Sequence, residues 1–442
     1  MCWRTLPDFA DDWGEYPRCV PDDHGRLRQN DTFSRMESIM RLTLSALMLL
    51  VCGVSTQVEA QDLFDELRPV SHLFGEAACD TSISDCSDSC SNSGCTSAGC
   101  SSCGCRTAPA PTMIGGSSLG VPFSLSDNIN EVHYFPNFYS RVSENNSAIP
   151  QTRVSFVYKY LNDVPTAKDR GANAPDYDSD LTYYELGLEK TLFDGNMSVE
   201  LLIPFSYGPE STIPLAVGLQ GSDVELQNIA FGLKMLLLAN DSKAITAGVR
   251  VEAPTKQDAL FNNGGIDIIT VPQEVWAVTP YLATLINLND DLFFQAFASY
   301  RLQTDDFTTF TTSGGVITSR EPNYFDLDAQ LGYWLYRNTG GSGLTGLQAK
   351  TEIHYTGTFE EYGDNGASAL PSRRGETDQL NLTTGLTAIM NDRTTITAGI
   401  VLPVRDGSDY VLPVGGGTRP HPSDRFFDWQ ANLQVNYYFG NQ

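Results

Sequence analysis

Asp326 and Asp328 stand two residues apart in the stretch NYFDLDAQLGYWLYRN, residues 323–338. In an extended chain that spacing puts both carboxylates on one face. A carboxylate pair can do acid–base chemistry, and it can equally line a polar pore. Other reactive groups are few. Of the five histidines (His24, His72, His133, His354 and His421), His354 belongs to the strongly alternating stretch LQAKTEIHY and His421 to a polar connection. The triplet Gly415-Gly416-Gly417 has no helix pattern after it, which a phosphate-cradling loop requires. Seven of the ten cysteines crowd into one Ser/Gly-rich run: Cys79, Cys86, Cys90, Cys95, Cys100, Cys103 and Cys105. Its C-x-x-C-x-C end could hold a soft metal, but the run has no histidine and lacks the cleaner paired spacing of zinc sites. Disulfides are the plainer reading in an oxidising compartment, and an odd number leaves one thiol over or pairs it with another chain. The expectation is therefore no catalytic residue, no metal and no cofactor.

The carboxylate pair is positioned by alternation. From Phe325 to Leu335 every second residue is apolar or small, a period of two and so a strand. About twelve such stretches follow one another from residue 152 onward. The sixth, VWAVTPYLATLI, reads with Val275, Ala277, Tyr281, Ala283 and Leu285 on its oily face. The twelfth, FDWQANLQVNYYF, reads with Phe427, Trp429, Ala431 and Leu433 there. The opposite faces carry Arg153, Lys159, Glu185, Glu189, Glu200, Lys234, Arg250, Glu252, Asp326, Asp328, Lys350, Glu352, His354 and Asp428.

A soluble sandwich would show the same alternation, but the connections decide against it. Tight turns such as Phe193-Asp194-Gly195-Asn196 alternate with six connections of roughly 20 residues, far longer than a compact domain tolerates in regular succession. Short turns at one end, long loops at the other and an even strand number describe a transmembrane β-barrel. The fold class expected is all-β: a closed antiparallel transmembrane barrel over residues 151–442. Its oily face meets lipid and its polar face a lumen. Both barrel ends then lie on the short-turn side, the periplasm of a bacterial outer membrane. The charged residues named above, from Arg153 to His354, become candidate lumen-lining groups, accompanied by Trp276, Phe293, Phe297, Trp334 and Tyr336. Pro204, Pro254, Pro280 and Pro403 share the lumen parity. Asp326 and Asp328 are expected to stay unpaired, because their strand carries no inward base. A barrel phospholipase would need its serine and histidine facing lipid, and His354 has the wrong parity.

The stretch ELQNIAFGLKMLLLANDSKAITAGVRVEAPT, followed by VTPYLATLINLNDDLFFQAFASY, resembles the outer-membrane proteins of the family named for the meta-pathway of phenol degradation. Gly232 and Lys234, Pro254 and Thr255, and Thr279 to Leu282 stand at that family's recurring places. Lys256 departs from it, since many relatives have glycine after Pro-Thr. The resemblance covers about residues 150–440 and implies the barrel fold; it says little about the solute. Tyr437, Tyr438 and Phe439 resemble the terminal signal read by the barrel-insertion machinery, with Gly440, Asn441 and Gln442 added behind it.

Upstream, Leu42–Val54 is the one long apolar run, with the length of a signal-peptide core and Val58-Glu59-Ala60 as its cleavage site. The expected organisation is a non-native or disordered extension over 1–39 and a signal peptide over 40–60. A disordered periplasmic Ser/Gly/Cys-rich segment and linker follow over 61–150, and then the barrel. A genuine cytoplasmic extension with Leu42–Val54 as anchor is the alternative. The net charge of −26 over 442 residues excludes nucleic acid, which needs a basic footprint. Expected partners are outer-membrane lipid, the barrel-insertion machinery and a small-molecule solute. Two functions fit: passive uptake of small, partly apolar solutes, or a non-conducting anchor that displays its loops.

Overall fold

The computed structural model describes residues 108–439 except for breaks in the segment before the barrel and inside the connections, the longest at 360–377. The cysteine run, the signal region and the extension before it lie outside the described residues. Twelve long strands form the wall. They are β1 (Arg153–Asp169), β2 (Tyr177–Leu192), β3 (Met197–Pro209), β4 (Ala230–Ala239), β5 (Lys243–Glu252) and β6 (Ala277–Asn287). The second half comprises β7 (Leu292–Gln303), β8 (Tyr324–Arg337), β9 (Leu344–Gly357), β10 (Asp378–Met390), β11 (Thr394–Pro403) and β12 (Trp429–Tyr438). Each is antiparallel to the next. The last pairs back onto the first, from Trp429 opposite Asn162 to Tyr438 opposite Arg153, so the sheet has no open edge.

The short turns carry the chemistry that tight reversals need. Phe193, Asp194 and Gly195 all have positive φ between β2 and β3, as do Asn391 and Asp392 between β10 and β11. Asn240 and Asn289 fold their side-chain oxygens onto the backbone N–H groups two and three residues on. At the other end the structure is more ordered than the sequence implied. β1 and β2 run to 17 and 16 residues, with bulges after Leu161 and Pro165. Three of the long connections also pair with one another in a five-stranded sheet, Thr212–Pro214, Ala259–Asn263, Ile266–Val271, Thr308–Thr312 and Gly315–Ser319.

The two faces of the wall differ sharply. Leu331 is 49% exposed and its neighbour Gln330 1%. Leu186, Leu188, Phe231, Leu327, Ile353, Leu386 and Ile400 are exposed around the outside. A continuous apolar belt of this kind is stable in lipid, not water. Every backbone donor in lipid must be paired, which closure achieves. The barrel therefore spans a membrane.

Four faces read from sequence are corrected. In β6 it is Ala277, Tyr281, Ala283 and Leu285 that are buried inside, while Pro280 is exposed outside. That strand is apolar on both faces, so alternation cannot choose; the inward Arg250 opposite Thr279 and Gly248 opposite Tyr281 do. Tyr336 is 43% exposed because a bulge between Trp334 and Tyr336 shifts the parity. Trp276, at 46%, precedes the start of β6. Phe427 is buried and Asp428 exposed, paired with Arg425, because both precede β12.

Candidate functional site: a filled lumen

The lumen is not empty. Residues 108–116 and 140–152, all but the last two placed by sequence in a linker ending at 150, are packed inside the barrel, nearly all of them buried. The chain enters at the short-turn end. There Ala108, Ala110, Met113, Val142, Ala148 and Ile149 join an apolar cluster with Leu236, Leu285, Phe293, Phe297, Trp334 and Ile389 of the wall. It ascends through Ile114 and Gly115 and pairs Ser118–Leu119 with Phe138–Tyr139. Beyond, the hairpin Phe123–Ser126/Asn130–Tyr134 pairs with the far end of β1 at Ala167–Asp169. The chain then descends through Arg141 and Asn146 into β1. The two passes are tied by Met113 N–H donating to Asn146 O at 3.0 Å and Asn145 N–H to Met113 O at 3.0 Å. We call this double pass the plug.

Polar side chains of the wall hold it. Glu352 accepts the N–H of Ile114 at 2.7 Å and of Gly115 at 2.8 Å. Lys350 donates to Thr112 O at 2.7 Å, and Gln330 to the same oxygen at 3.1 Å. Gln434 donates to Ile114 O at 2.6 Å and Asn432 to Gly115 O at 3.0 Å. Lys159 pairs with Glu144 at 2.7 Å. Lys234 donates to Asn146 at 2.7 Å and pairs with Glu189 at 2.9 Å. Thr246 donates to Ala148 O. Shape contributes as well. The facing glycines Gly385 and Gly399 leave a recess filled by Ile114; a Cβ on either would lie within 2.9 Å of that side chain. Gly115 has φ +82 and a Cβ there would meet Glu144 at 2.7 Å, so neither its conformation nor its space accepts a side chain.

The candidate lumen residues from Arg153 to His354 all lie on the inner face. Arg153 pairs with Glu189 at 2.9 Å and donates to Asn436 at 2.9 Å. Glu185 accepts from Ser140 at 2.8 Å and from Tyr183 at 3.0 Å. Glu200 pairs with Arg250 at 2.9 Å, and Glu252 with Arg301 at 2.8 Å. Asp326 and Asp328 are not unpaired. Arg141 of the plug lies 3.5 Å from Asp326 and 2.9 Å from Asp328. The base missing from their strand is supplied from a segment some 185 residues earlier (187 for Asp328), beyond the reach of strand-by-strand reading. His354 sits between Asp328 at 2.8 Å and Glu352 at 3.2 Å. Both its ring nitrogens face carboxylates. The sequence reading missed Arg301, Gln295, Thr246, Gln434, Asn436 and the whole plug. The strand residues among them carry the same parity signal as the rest; the plug carries none.

Comparison with known proteins adds little. No protein family's sequence profile matches the chain, and no curated protein matches it. Among solved structures, the COG4313 outer membrane channel from Pseudomonas putida F1 is similar at 15% identity and a TM-score of 0.43, over 66% of this chain and 96% of that one. The KdgM porin in complex with disordered oligogalacturonate aligns at 9% and 0.33, over 65% and 99%. The TodX monoaromatic hydrocarbon channel deltaS2 mutant aligns at 9% and 0.36, over 67% and 91%. Likeness this distant carries no argument about function, which rests on the geometry above.

Proposed function

We propose that this chain is a bacterial outer-membrane channel held closed by its own N-terminal plug. Small, partly apolar solutes pass when the plug yields. In this reading both ends of the barrel face the periplasm, and Tyr437, Tyr438 and Phe439 serve insertion by the barrel machinery. The relation to the phenol meta-pathway family remains part of the same proposal. One observation carries it: the plug is held largely by polar and ionic contacts to the wall. Polar surfaces separated from each other can be rehydrated, so parting them costs far less than exposing an apolar core. A permanently sealed barrel has no need of so many polar contacts.

A second reading, the non-conducting anchor, is favoured by the depth of filling: Gln295, Thr246, Thr397 and Gln434 of the inner face have essentially no exposure. Planar-bilayer recording separates the two. The channel reading expects small or rare conductance steps from the full chain and large, frequent ones from Arg141→Ala, which removes the ionic latch. A folded Arg141→Ala barrel as silent as the parent would leave only the anchor.

A further inference from the structure

Two carboxylate oxygens that grip the plug, one on each pass, also face the same histidine. Glu352 Oε2 accepts the N–H of Gly115 on the ascending pass and stands 3.2 Å from His354 Nε2. Asp328 Oδ1 accepts from Arg141 Nη1 on the descending pass at 2.9 Å and meets His354 Nδ1 at 2.8 Å. The ring packs on the plug backbone as well, since a Cβ on Gly116 would lie 3.2 Å from its Cδ2. His354 is wholly buried. One side chain of β9 therefore joins the holds on both passes.

The charge on that ring decides how well they hold. A neutral imidazole has one N–H and turns a bare lone pair toward one of the two carboxylates; an imidazolium offers an N–H to each. The surroundings favour the charged form. β8 contributes Asp326 and Asp328, β9 contributes Glu352 and Lys350, and the plug contributes Arg141. β10 places the uncharged Asn381 opposite the ring, and Val401 of β11 lies beside Gly116. Further out, Glu144 of the plug is paired with Lys159, and Arg301 of β7 with Glu252 of β5. Three carboxylates thus face two other cations, and a protonated ring evens the count. Without that proton, one buried negative charge is uncompensated, and burying such a charge is costly.

We propose that His354 is a proton-operated catch on the plug. Charged, it lets Asp328 and Glu352 hold both passes side by side. When the ring loses its proton as pH rises, the two carboxylates repel across it and the plug is released; reprotonation resets it. The catch therefore holds below the midpoint of the ring's titration and gives way above it. The inference rests on the channel reading and names what opens it. Release is read without conduction, so either can fail alone.

The test uses the full chain folded in detergent. Short trypsin pulses are applied at about pH 7 and about pH 9, on either side of which a histidine held by carboxylates changes charge. Cleavage after Arg141 is read by the mass of the products, relative to a free peptide of the plug sequence at the same pH. Below its midpoint the deprotonated share of a ring grows about tenfold per pH unit, so cleavage of the parent should rise by about tenfold or more. His354→Gln, which imitates the neutral ring, should be cut readily at both pH values and show no such rise. Nitrogen-15 shifts of the His354 ring should show both nitrogens protonated at the lower pH. Should the variant not fold, the parent's pH dependence and ring shifts still decide. A parent equally resistant at both pH values, a neutral ring at the lower one, or a folded variant that is resistant or keeps the rise would each overturn the catch.

Discussion

Arg141 is the side chain on which the closed lumen turns. It is fully buried and serves two carboxylates at once, Asp326 and Asp328. Removing one side of a buried ionic group leaves the other uncompensated, at about 3–5 kcal/mol. The variant Asp326→Asn with Asp328→Asn therefore strands Arg141, and the strain falls on the plug rather than on ion preference. Trypsin provides the measurement. In the parent the bond after Arg141 is inaccessible; in the double variant cleavage there should appear while the barrel stays folded. Resistance equal to the parent would mean that the latch is elsewhere. Further along β8, at Gln330 and Leu331, the wall gives a contrast of faces. Leu331→Arg puts a cation into the lipid belt at about 2–4 kcal/mol near the midplane, so insertion into vesicles should suffer. Gln330→Arg instead meets Thr112 O and Glu352 inside, so it should insert normally and disturb only the plug. Equal insertion defects would void the assignment of faces.

At the scale of elements, what was legible followed from contrast between faces. β8 alternates leucine with aspartate, so its faces were readable; β6 is oily on both sides, and only its neighbours fix it. The bulge in β8 reversed parity after Trp334, and nothing local in Tyr-Trp-Leu-Tyr announces it. The plug was invisible for a different reason. Its residues obey no period because they contact a curved wall on all sides, one by one, through partners scattered from residue 153 to 436. Its one local hint is Pro111-Thr112-Met113-Ile114-Gly115-Gly116, an apolar pair between punctuating residues. The recess that receives Ile114 gives a test of how the element is held. Gly399→Val keeps a strand-forming residue in β11 but fills the space of Ile114. Overpacking of this kind costs about 1–3 kcal/mol. Amide exchange should accelerate at Ile114 and Gly115 and stay slow along β9 and β10. Acceleration spread evenly over the strands would show that the plug and wall open as one unit instead.

The whole molecule has two layers of stability that experiment can separate. The wall is a closed circuit of inter-strand ladders, each strand bonded on both sides, with β1 and β12 completing it through pairs from Arg153–Tyr438 to Asn162–Trp429. No strand can leave without breaking two ladders, and detergent offers the backbone no replacement hydrogen bonds inside the apolar belt. The barrel should therefore survive detergent unheated and unfold only on heating, so that unboiled and boiled samples migrate differently on a gel. Among the described residues the plug pairs as a strand with the wall at Ala167–Asp169, at the far end of β1. Arg141→Ala should consequently keep the gel shift and nearly keep the temperature at which it is lost, although its plug opens readily. Identical migration before and after boiling would argue against a closed membrane barrel. A variant that loses the shift at much lower temperature would show that the plug is part of what closes the wall, and that opening it cannot be a working state.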